Sequence, residues 1–365
     1  MFPGAQLVIA KDNKVVLNKA FGFYSYKKKK KVNTSSLYDL ASLTKILVSV
    51  PLMLREFDLS NISLKSTLSE IMKDEDLGNK SKLRFDEMFS HQSALIPWIP
   101  FYKETLDSIT NKQLNKYYSN NKTKSYSVQI GEDLFISNSW NDTIYKRLID
   151  SDLLEKKTYR YSDVPYYFIK KYLEDKYKTN LDQLIKNKVF SKIGAFSLTY
   201  NPRELRQINE IVPSEKDDYF RFSKIQGFVH DMGASMQGGI GGHAGLFGNA
   251  EDVAKVMYLF LNKGSYIDYE IFTSKSFEIF NKRHFKKNRR GIGFDKPQLD
   301  DDVLSTCGCV SDQSFGHSGF TGTYAWADPK NNLIYVFLSN RTYPTMTNNK
   351  ISENNIRTEV HRLIN

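Results

Sequence analysis

Only two cysteines occur among the 365 residues of the chain, Cys307 and Cys309, and a single residue separates them. A disulfide across one intervening residue would be strained, and two thiols without a second pair of ligands do not form a zinc site. Along a strand, alternation would direct both side chains to the same face. We therefore expect a structural role for this pair, which says little about the cellular compartment.

The sequence also lacks long apolar segments. No run of about 18 or more apolar residues is present, so we expect no transmembrane helix. Residues 1–6 contain no basic region followed by an apolar stretch, so no signal peptide is visible. We expect any export signal or further domain to precede the first residue of this chain.

Negative charge is comparatively scarce, since 52 lysines and arginines stand against 41 aspartates and glutamates, for a net charge of +11. Residues 27–31 are an unbroken run of lysines, which could attract nucleic acid. No nucleic-acid-binding motif is present, however, and no aromatic residues interleave with this run. The run predicts a solvated basic loop and no nucleic-acid partner. Attraction to anionic cell-wall polymer or lipid headgroups stays open as an alternative.

The composition that is present, with 40% apolar and 25% charged residues, is typical of a globular protein. Strand-like segments lie near both ends of the chain, at 6–11, 14–24, 316–328 and 333–340. We therefore predict an α/β (α+β) fold, in which a mostly antiparallel sheet built from both termini is flanked by helices. We expect an inserted all-helical lobe between these ends.

The predicted helices follow the 3.6-residue apolar period. They are a helix from about Leu43, then 83–95, 139–150, 164–177, 249–261 and 352–364. No internal repeat or low-complexity linker interrupts the chain. We predict a single domain over residues 1–365, with one lobe formed by 1–50 and 226–365 and a helical lobe formed by 51–225.

The pair Ser42 and Lys45 opens the first of these helices, so both side chains lie on one side of it. A serine hydroxyl becomes a nucleophile when a base removes its proton, and a lysine amine can be that base if its pKa is lowered. The first turn of a helix also favours developing negative charge. Taken alone, this short pattern occurs often by chance and favours an ordinary amphipathic helix with a polar first turn.

Two further triplets follow in the chain: Tyr161-Ser162-Asp163 before a predicted helix, and His317-Ser318-Gly319 on a predicted strand. With the Ser-x-x-Lys pair, their order and context resemble the serine β-lactamase and penicillin-binding-protein family. The closest likeness is to class C β-lactamases, esterases and DD-peptidases. Segments 89–95 and 242–247 also resemble this group, and the chain resembles the domain that some Bacteroidetes carry behind a family 3 glycoside hydrolase.

The resemblance implies a role for each matching residue. Ser42 would be the nucleophile, and Lys45 with Tyr161 would transfer protons. Backbone N–H groups of Ser42 and Phe320 would form the oxyanion hole, and Gly319 would allow close approach of the strand and the substrate. Three further positions of the two later motifs would contact the substrate: Asp163, His317 and Ser318. The resemblance implies no metal and no cofactor.

The chain departs from the family pattern at two of these positions. Asp163 stands where many relatives have Asn, and an ionised carboxylate cannot donate a hydrogen bond. It could instead pair with Lys45, favour the charged lysine, and leave Tyr161 as the better base. His317 stands where a lysine is usual, and a partly charged imidazole would capture a substrate carboxylate less strongly.

Several residues also have non-catalytic interpretations. Asp163 could cap the following helix, and both roles are compatible. His91 is expected to fix a loop near the site. His230, Asp231 and His243 could suggest a metal, but no further ligand follows at a recognisable spacing, so structural hydrogen bonding is favoured.

We therefore predict a serine hydrolase that acts through an acyl-enzyme on an ester or a D-amino-acid, peptidoglycan-type amide. A β-lactamase or penicillin-binding protein is the first alternative, and a catalytically idle domain that binds cell-wall fragments is the second. The resemblance implies a periplasmic or cell-envelope location and allows an attached glycoside hydrolase domain. The oligomeric state stays open, as does which of Lys45 and Tyr161 is the base.

Overall fold

The computed structural model describes residues 1–299 and 305–364, and strands from both ends of the chain form its main sheet. The strands are β1 Gly4–Lys11, β2 Lys14–Gly22, β3 Tyr38–Asp39, β4 Tyr118–Ser119, β5 Val128–Gly131, β6 Leu134–Ile136, β7 Glu215–Asp217, β8 Ser223–Ile225, β9 Phe247–Gly248, β10 Ser265–Tyr266, β11 Tyr269–Glu270, β12 Phe315–Gly319, β13 Thr323–Asp328 and β14 Leu333–Ser339. The main sheet has the strand order β12-β13-β14-β1-β2 and is antiparallel throughout.

Eleven α-helices lie among these strands in the described residues. They are α1 Val50–Asp58, α2 Leu68–Ile71, α3 Phe85–Phe89, α4 Trp140–Asp150, α5 Val164–Tyr177, α6 Leu181–Ile185, α7 Met232–Met236, α8 Ala250–Leu261, α9 Ser274–Phe280, α10 Lys350–Glu353 and α11 Ile356–Arg362. A π-helical turn, Lys45–Ser49, leads directly into α1. Among the described residues, no helix has the length and apolar character needed to cross a membrane.

The hairpin β1–β2 forms as predicted. Asp12 and Asn13 have φ angles of 50° and 63°, and a two-residue turn that matches the strand twist needs positive φ at both positions. Strand β1 then pairs with β14, from Ala5 opposite Ser339 to Lys11 opposite Leu333. The prediction of one sheet built from both ends of the chain is therefore confirmed.

Helices cover both faces of this sheet. Helix α8 packs against β13, β14 and β1 on one face, while Ile351 of α10 and Ile356 of α11 pack against the other. Every residue of β13 and β14 is buried as a result. Burial on both faces explains why β14 is a continuous apolar run. The α/β class with a mostly antiparallel sheet and flanking helices is confirmed.

The predicted strand 316–328 is in fact two strands. β12 and β13 pair with each other, and a turn over 320–322 separates them, with Gly322 at φ 99°. The apolar pattern alone does not reveal this turn, because strand β12 and the turn both mix a phenylalanine with polar and glycine residues. The second predicted turn, over 329–332, is confirmed.

The inserted lobe is not all helical, which corrects the sequence prediction. A three-stranded antiparallel sheet of order β4-β6-β5 lies within it, and so does the hairpin β7–β8. These strands have two to four residues each. Such short segments carry too little alternation to be recognised as strands from sequence. The single-domain organisation and its lobe boundaries stay predictions.

Two predicted helices are shorter than expected. Helix α3 ends at Phe89 rather than 95, because His91 and Ala94 adopt positive φ and terminate it. The C-terminal helix is divided into α10 and α11 by Asn355, which also has positive φ. Helices α4, α5 and α8 agree with the predictions within one residue.

The cysteine pair also differs from the prediction. Cys307 and Cys309 form a disulfide, and they lie in a loop rather than on one face of a strand. The lysine run 27–31 lies in the loop between β2 and β3 and is mostly exposed, as predicted.

Candidate active site

Ser42 lies at a sharp change of chain direction before the π-helical turn. Ala41, the preceding residue, has φ 47°, and its N–H donates to the buried carboxylate of Asp39 over 2.8 Å. Non-glycine residues in this conformation are strained and persist where surrounding contacts hold them. The turn leaves Ser42 partly exposed, whereas Leu43 and Lys45 after it are buried.

Lys45 is fully buried, and three oxygen atoms surround its Nζ. Ser42 Oγ lies at 3.0 Å, Asp163 Oδ1 at 2.6 Å and the carbonyl oxygen of His243 at 3.2 Å. Burial lowers the pKa of Lys45, but the nearby Asp163 carboxylate and Tyr161 more than offset this, so the pKa lies above its ordinary value. Three acceptors match the three N–H bonds of an ammonium group. Lys45 is therefore charged, and the predicted pairing with Asp163 is present.

Tyr161 stands over this pair. Its ring centroid lies 5.0 Å from Lys45 Nζ, and its buried hydroxyl lies beside Lys45 and Ser42, without a well-aligned hydrogen bond to either. Burial raises the pKa of Tyr161, and the Lys45 charge opposes this shift without cancelling it, so the pKa lies above its ordinary value. The two side chains predicted to transfer protons thus lie together at Ser42.

The segment that carries Tyr161 is fixed by its neighbours. The backbone N–H of Ser162 donates to His91 Nδ1 over 3.1 Å, and the Ser162 hydroxyl donates to the Ile96 carbonyl over 2.6 Å. That hydroxyl also accepts from the N–H of Val164, at the start of α5. Asp163 occupies the capping position without capping the helix, so its carboxylate is free to contact Lys45. His91 fixes this loop, as expected.

The end of β12 lies against the segment that carries Ser42. A Cβ atom on Gly319 would lie 2.7 Å from the Leu40 carbonyl oxygen and 2.0 Å from Thr323 Oγ1, so only glycine fits. The Gly319 carbonyl accepts from the Gly322 N–H over 3.0 Å. Because carbonyl and N–H point in opposite directions across a trans peptide, this contact also orients the N–H of Phe320.

A similar arrangement orients the N–H of Ser42. The Ala41 carbonyl accepts from both the N–H and the hydroxyl of Thr44, at 3.0 and 2.7 Å. Within residues 1–299 and 305–364, neither the Ser42 N–H nor the Phe320 N–H donates a hydrogen bond. Two unpaired backbone donors at this place match what an oxyanion hole needs.

His317 differs from the expectation of a partly charged imidazole. It is 2% exposed, and burial together with the Arg290 charge lowers the pKa of His317 to about 3. Its Nδ1 lies 2.7 Å from the carbonyl oxygen of Ser318, so Nδ1 carries the proton of a neutral ring. A neutral, buried His317 cannot attract a carboxylate by charge. Ser318 is half-buried on the same strand, opposite Tyr324.

Two groups that sequence reasoning did not assign to the site also contact it. The His243 carbonyl holds Lys45, and the His243 ring is fixed by Asp231 at 2.9 Å and by stacking on Tyr167 at 4.5 Å. The guanidinium of Arg290 lies 5.3 Å from the Tyr161 ring centroid. The glycine-rich context of His243 and the paired arginines 289–290 were the available signals. Among the described residues, no cluster of His, Cys, Asp and Glu could hold a metal ion.

Comparisons with known proteins agree on one group. A sequence profile of the family described as Beta-lactamase matches residues 1–356. The N-acetylmuramyl-L-alanine amidase of Bacillus subtilis (strain 168) is 26% identical over 368 residues, covering 94% of this chain and 78% of that protein. A Salmonella gallinarum protein with the provisional name D-alanyl-D-alanine carboxypeptidase is 27% identical over 383 residues, covering 97% and 82%.

The structure also resembles a solved class C beta lactamase from Rhodobacter sphaeroides. The TM-score is 0.67 at 15% sequence identity, and the alignment covers 94% of this chain and 91% of that one. At that identity the likeness concerns the fold alone.

Proposed function

Because this chain belongs to the beta-lactamase family, a family of hydrolases, we propose that it is a serine hydrolase that acts through an acyl-enzyme at Ser42. The observation that carries this proposal is the position of Lys45 Nζ, 3.0 Å from Ser42 Oγ and 2.6 Å from Asp163 Oδ1. A buried cation beside a partly exposed hydroxyl is a means of stabilising negative charge that develops there.

Tyr161 receives the serine proton in this mechanism. Lys45 is already an ammonium group, so it cannot accept a further proton. Because burial raises the pKa of Tyr161, this side chain must first lose its own proton to solvent. Its phenolate form, which the Lys45 charge stabilises, then takes the serine proton as Ser42 Oγ bonds to the acyl carbon. When the tetrahedral intermediate collapses, the phenol returns that proton to the departing alcohol or amine, and the acyl group stays on Ser42.

Water completes the cycle. It attacks the acyl carbon while Tyr161 takes its proton, the bond to Ser42 Oγ breaks, and the serine oxygen recovers the proton. In both halves the carbonyl oxygen becomes negative and accepts from the N–H groups of Ser42 and Phe320. Removal of one such donor typically costs about 3–4 kcal/mol of transition-state stabilisation.

The proposed substrates are carboxylic esters or D-amino-acid, peptidoglycan-type amides. The name of the amidase relative supports a peptidoglycan-type amide, and the name of the carboxypeptidase relative supports a D-amino-acid amide. A neutral His317 and an anionic Asp163 disfavour an acidic β-lactam, because neither offers it positive charge. A β-lactamase or penicillin-binding activity is the second candidate, favoured by the family match. We extend the proposal to a periplasmic or cell-envelope location, testable by cell fractionation.

The test is intact-mass spectrometry after incubation with a fluorophosphonate and, separately, with a penicillin. We expect a phosphonyl adduct on the wild-type protein and none on Ser42→Ala. A penicilloyl adduct in addition would favour the second candidate. No adduct from either reagent would overturn the proposal and favour a catalytically idle domain that binds cell-wall fragments.

A further inference from the structure

A second buried cation lies beneath the ring of Tyr161. Arg290 is 5% exposed, and its guanidinium carbon lies 5.3 Å from the Tyr161 ring centroid. Its Nη2 lies 3.3 Å from Asp295 Oδ2, and its Nε donates to the Tyr159 hydroxyl over 3.3 Å. Among the described residues, its buried Nη1 has no hydrogen-bond partner. The positive charge of Arg290 is thus only partly neutralised.

Of the other side chains around Tyr161, only Lys45 carries positive charge. The Lys45 charge favours the Tyr161 phenolate, and Asp163 at 2.6 Å partly offsets that charge. His317 from β12, with its ring centroid 5.8 Å from that of Tyr161, is neutral. His91, from the loop after α3, has its ring centroid 4.6 Å from the Tyr161 ring, and burial holds its pKa well below the ordinary value. From α5, Tyr166 contributes an uncharged phenol.

We propose that Arg290 is a positioning residue for Tyr161, and that its fixed charge stabilises the phenolate form of that side chain. This inference rests on the proposed function in that Tyr161 receives the Ser42 proton. In this chain Arg290 adds a second permanent positive charge to that of Lys45, whereas position 317 carries a neutral imidazole.

The physical argument is electrostatic. A guanidinium on the face of an aromatic ring is attracted to the ring, and the attraction grows when the ring oxygen becomes negative. Both groups are largely removed from water, where the interaction is screened less than at the surface. Arginine also stays charged over the whole working pH range, unlike histidine.

The adjacent arginine provides a matched control. Arg289 binds the same carboxylate, with Nε 2.6 Å from Asp295 Oδ1, but its guanidinium lies over Tyr159 rather than Tyr161. Arg289→Gln therefore removes one cation and one ion pair without removing the contact with Tyr161. Arg290→Gln removes that contact as well.

The experiment follows the ionisation of Tyr161 directly. Tyrosines carrying 13C at the ring Cζ are titrated by NMR in the full chain, and the resonance missing from Tyr161→Phe identifies Tyr161. We expect Arg290→Gln to shift the Tyr161 titration upward by at least about one pH unit. We expect Arg289→Gln to shift it by less than half of that.

A variant expected to lower the Tyr161 pKa distinguishes an electrostatic effect from loss of folding. Asp295→Asn removes the carboxylate that partly neutralises Arg290, so it should shift the Tyr161 titration to lower pH. It should also increase fluorophosphonate labelling below roughly pH 8. Damage to the fold would not raise the labelling rate. Unchanged titration in both Arg290→Gln and Asp295→Asn, or equal shifts in Arg289→Gln and Arg290→Gln, would overturn the inference.

The two proposals fail in different ways. A wild-type protein that is not labelled at Ser42 overturns the serine-hydrolase proposal, whatever Tyr161 does. If the protein is labelled at Ser42 but the Tyr161 titration is the same with and without Arg290, only the present inference is overturned.

Discussion

Asp163 decides how protons are held at the site. A carboxylate next to Lys45 keeps the lysine charged, and the Ser162 hydroxyl accepts from the N–H of Val164 at the start of α5. Asp163 therefore prevents Lys45 from acting as the base and leaves Tyr161 as the remaining candidate. Its 22% exposed side chain also presents negative charge to the cleft.

Asp163→Asn should replace the carboxylate beside Lys45 by a neutral amide. Without its counter-ion, the buried Lys45 should lose the stabilisation of its ammonium form, so its pKa should fall by about 1–3 units. We expect the pH dependence of fluorophosphonate labelling to move to lower pH and a penicillin adduct to appear by mass spectrometry.

Asp163→Glu is the control, because it keeps the charge and should keep the wild-type pH profile. An Asp163→Asn protein with the wild-type profile and no penicillin adduct would show that the carboxylate does not set the lysine charge.

Gly319→Ala tests the approach of β12 to the Ser42 segment. The new methyl group would lie 2.0 Å from Thr323 Oγ1, whose hydrogen bond to the Leu40 carbonyl is 3.0 Å long. The strand end must shift, and the N–H of Phe320 shifts with it. Since one misplaced oxyanion donor costs about 10²–10³ in rate, we expect fluorophosphonate labelling to slow by at least about tenfold.

A glycine remote from the site provides the comparison. Gly131 lies on β5, and a Cβ atom there would come no closer than 3.2 Å to Leu134. Gly131→Ala should label at close to the wild-type rate. Similar rates for Gly319→Ala and Gly131→Ala would contradict the argument.

At the scale of elements, helices α1 and α5 are joined by one buried carboxylate. Glu56 is 1% exposed and accepts from Lys176 at 2.6 Å, from Tyr172 at 2.9 Å and from the Tyr177 hydroxyl. Burial raises the pKa of Glu56, but these donors lower it more, so the net pKa lies below its ordinary value. α1 continues the turn that carries Lys45, and α5 follows the segment that carries Tyr161. The carboxylate therefore ties together the two supports of the site.

Glu56→Gln should destabilise the protein by about 1–3 kcal/mol, because the amide cannot accept from all of these donors. The measurement is urea unfolding at neutral pH. Because the folded pKa of Glu56 is depressed, its contribution is present above the unfolded pKa of about 4.3 and is lost as pH falls below it.

Asp175→Asn on the same helix α5 is the control. Its carboxylate is 55% exposed and pairs with Lys171 at 2.8 Å. An exposed pair of this kind contributes about 0–1 kcal/mol. Equal losses of stability in the two variants would mean that burial of Glu56 is not what matters.

At the scale of the whole molecule, buried neutral histidines make stability depend on pH. Burial lowers the pKa of His317 to about 3 and of His361 to about 4, and holds that of His91 well below its usual range. In the unfolded chain these rings bind protons below about pH 6.5. The unfolded state then binds more protons, so stability must fall as pH falls.

We expect the free energy of unfolding to decrease by about 1.4 kcal/mol per pH unit for each such histidine, between about pH 6.5 and the folded pKa. Urea titrations at a series of pH values from about 7.5 to 5 measure this slope. His361→Gln should reduce the slope by about one proton. A slope unchanged by His361→Gln would contradict the prediction.

Local patterns made several parts of the fold predictable. The turn at Asp12 and Asn13, the bounds of α5 and the Asn249 cap of α8 are each encoded within one segment, by turn chemistry, apolar period or a capping side chain. The short strands β4, β5 and β6 were missed, because two to four residues are too few to show an alternating pattern. The break at Gly322 was missed for a related reason, since the residues around it are compatible with a continuous strand.

For the site, sequence by itself determined which residue types are available and in what order along the chain. The spacing of Ser42 and Lys45 placed both on one side of a helical turn. The two later motifs indicated which residues should lie beside them in the folded chain. Only the tertiary structure decided their states. It places Asp163 on Lys45, buries His317 as a neutral ring and sets Arg290 against Tyr161. Charge and protonation depend on distance and burial, which residues far apart in the chain acquire only when the chain folds.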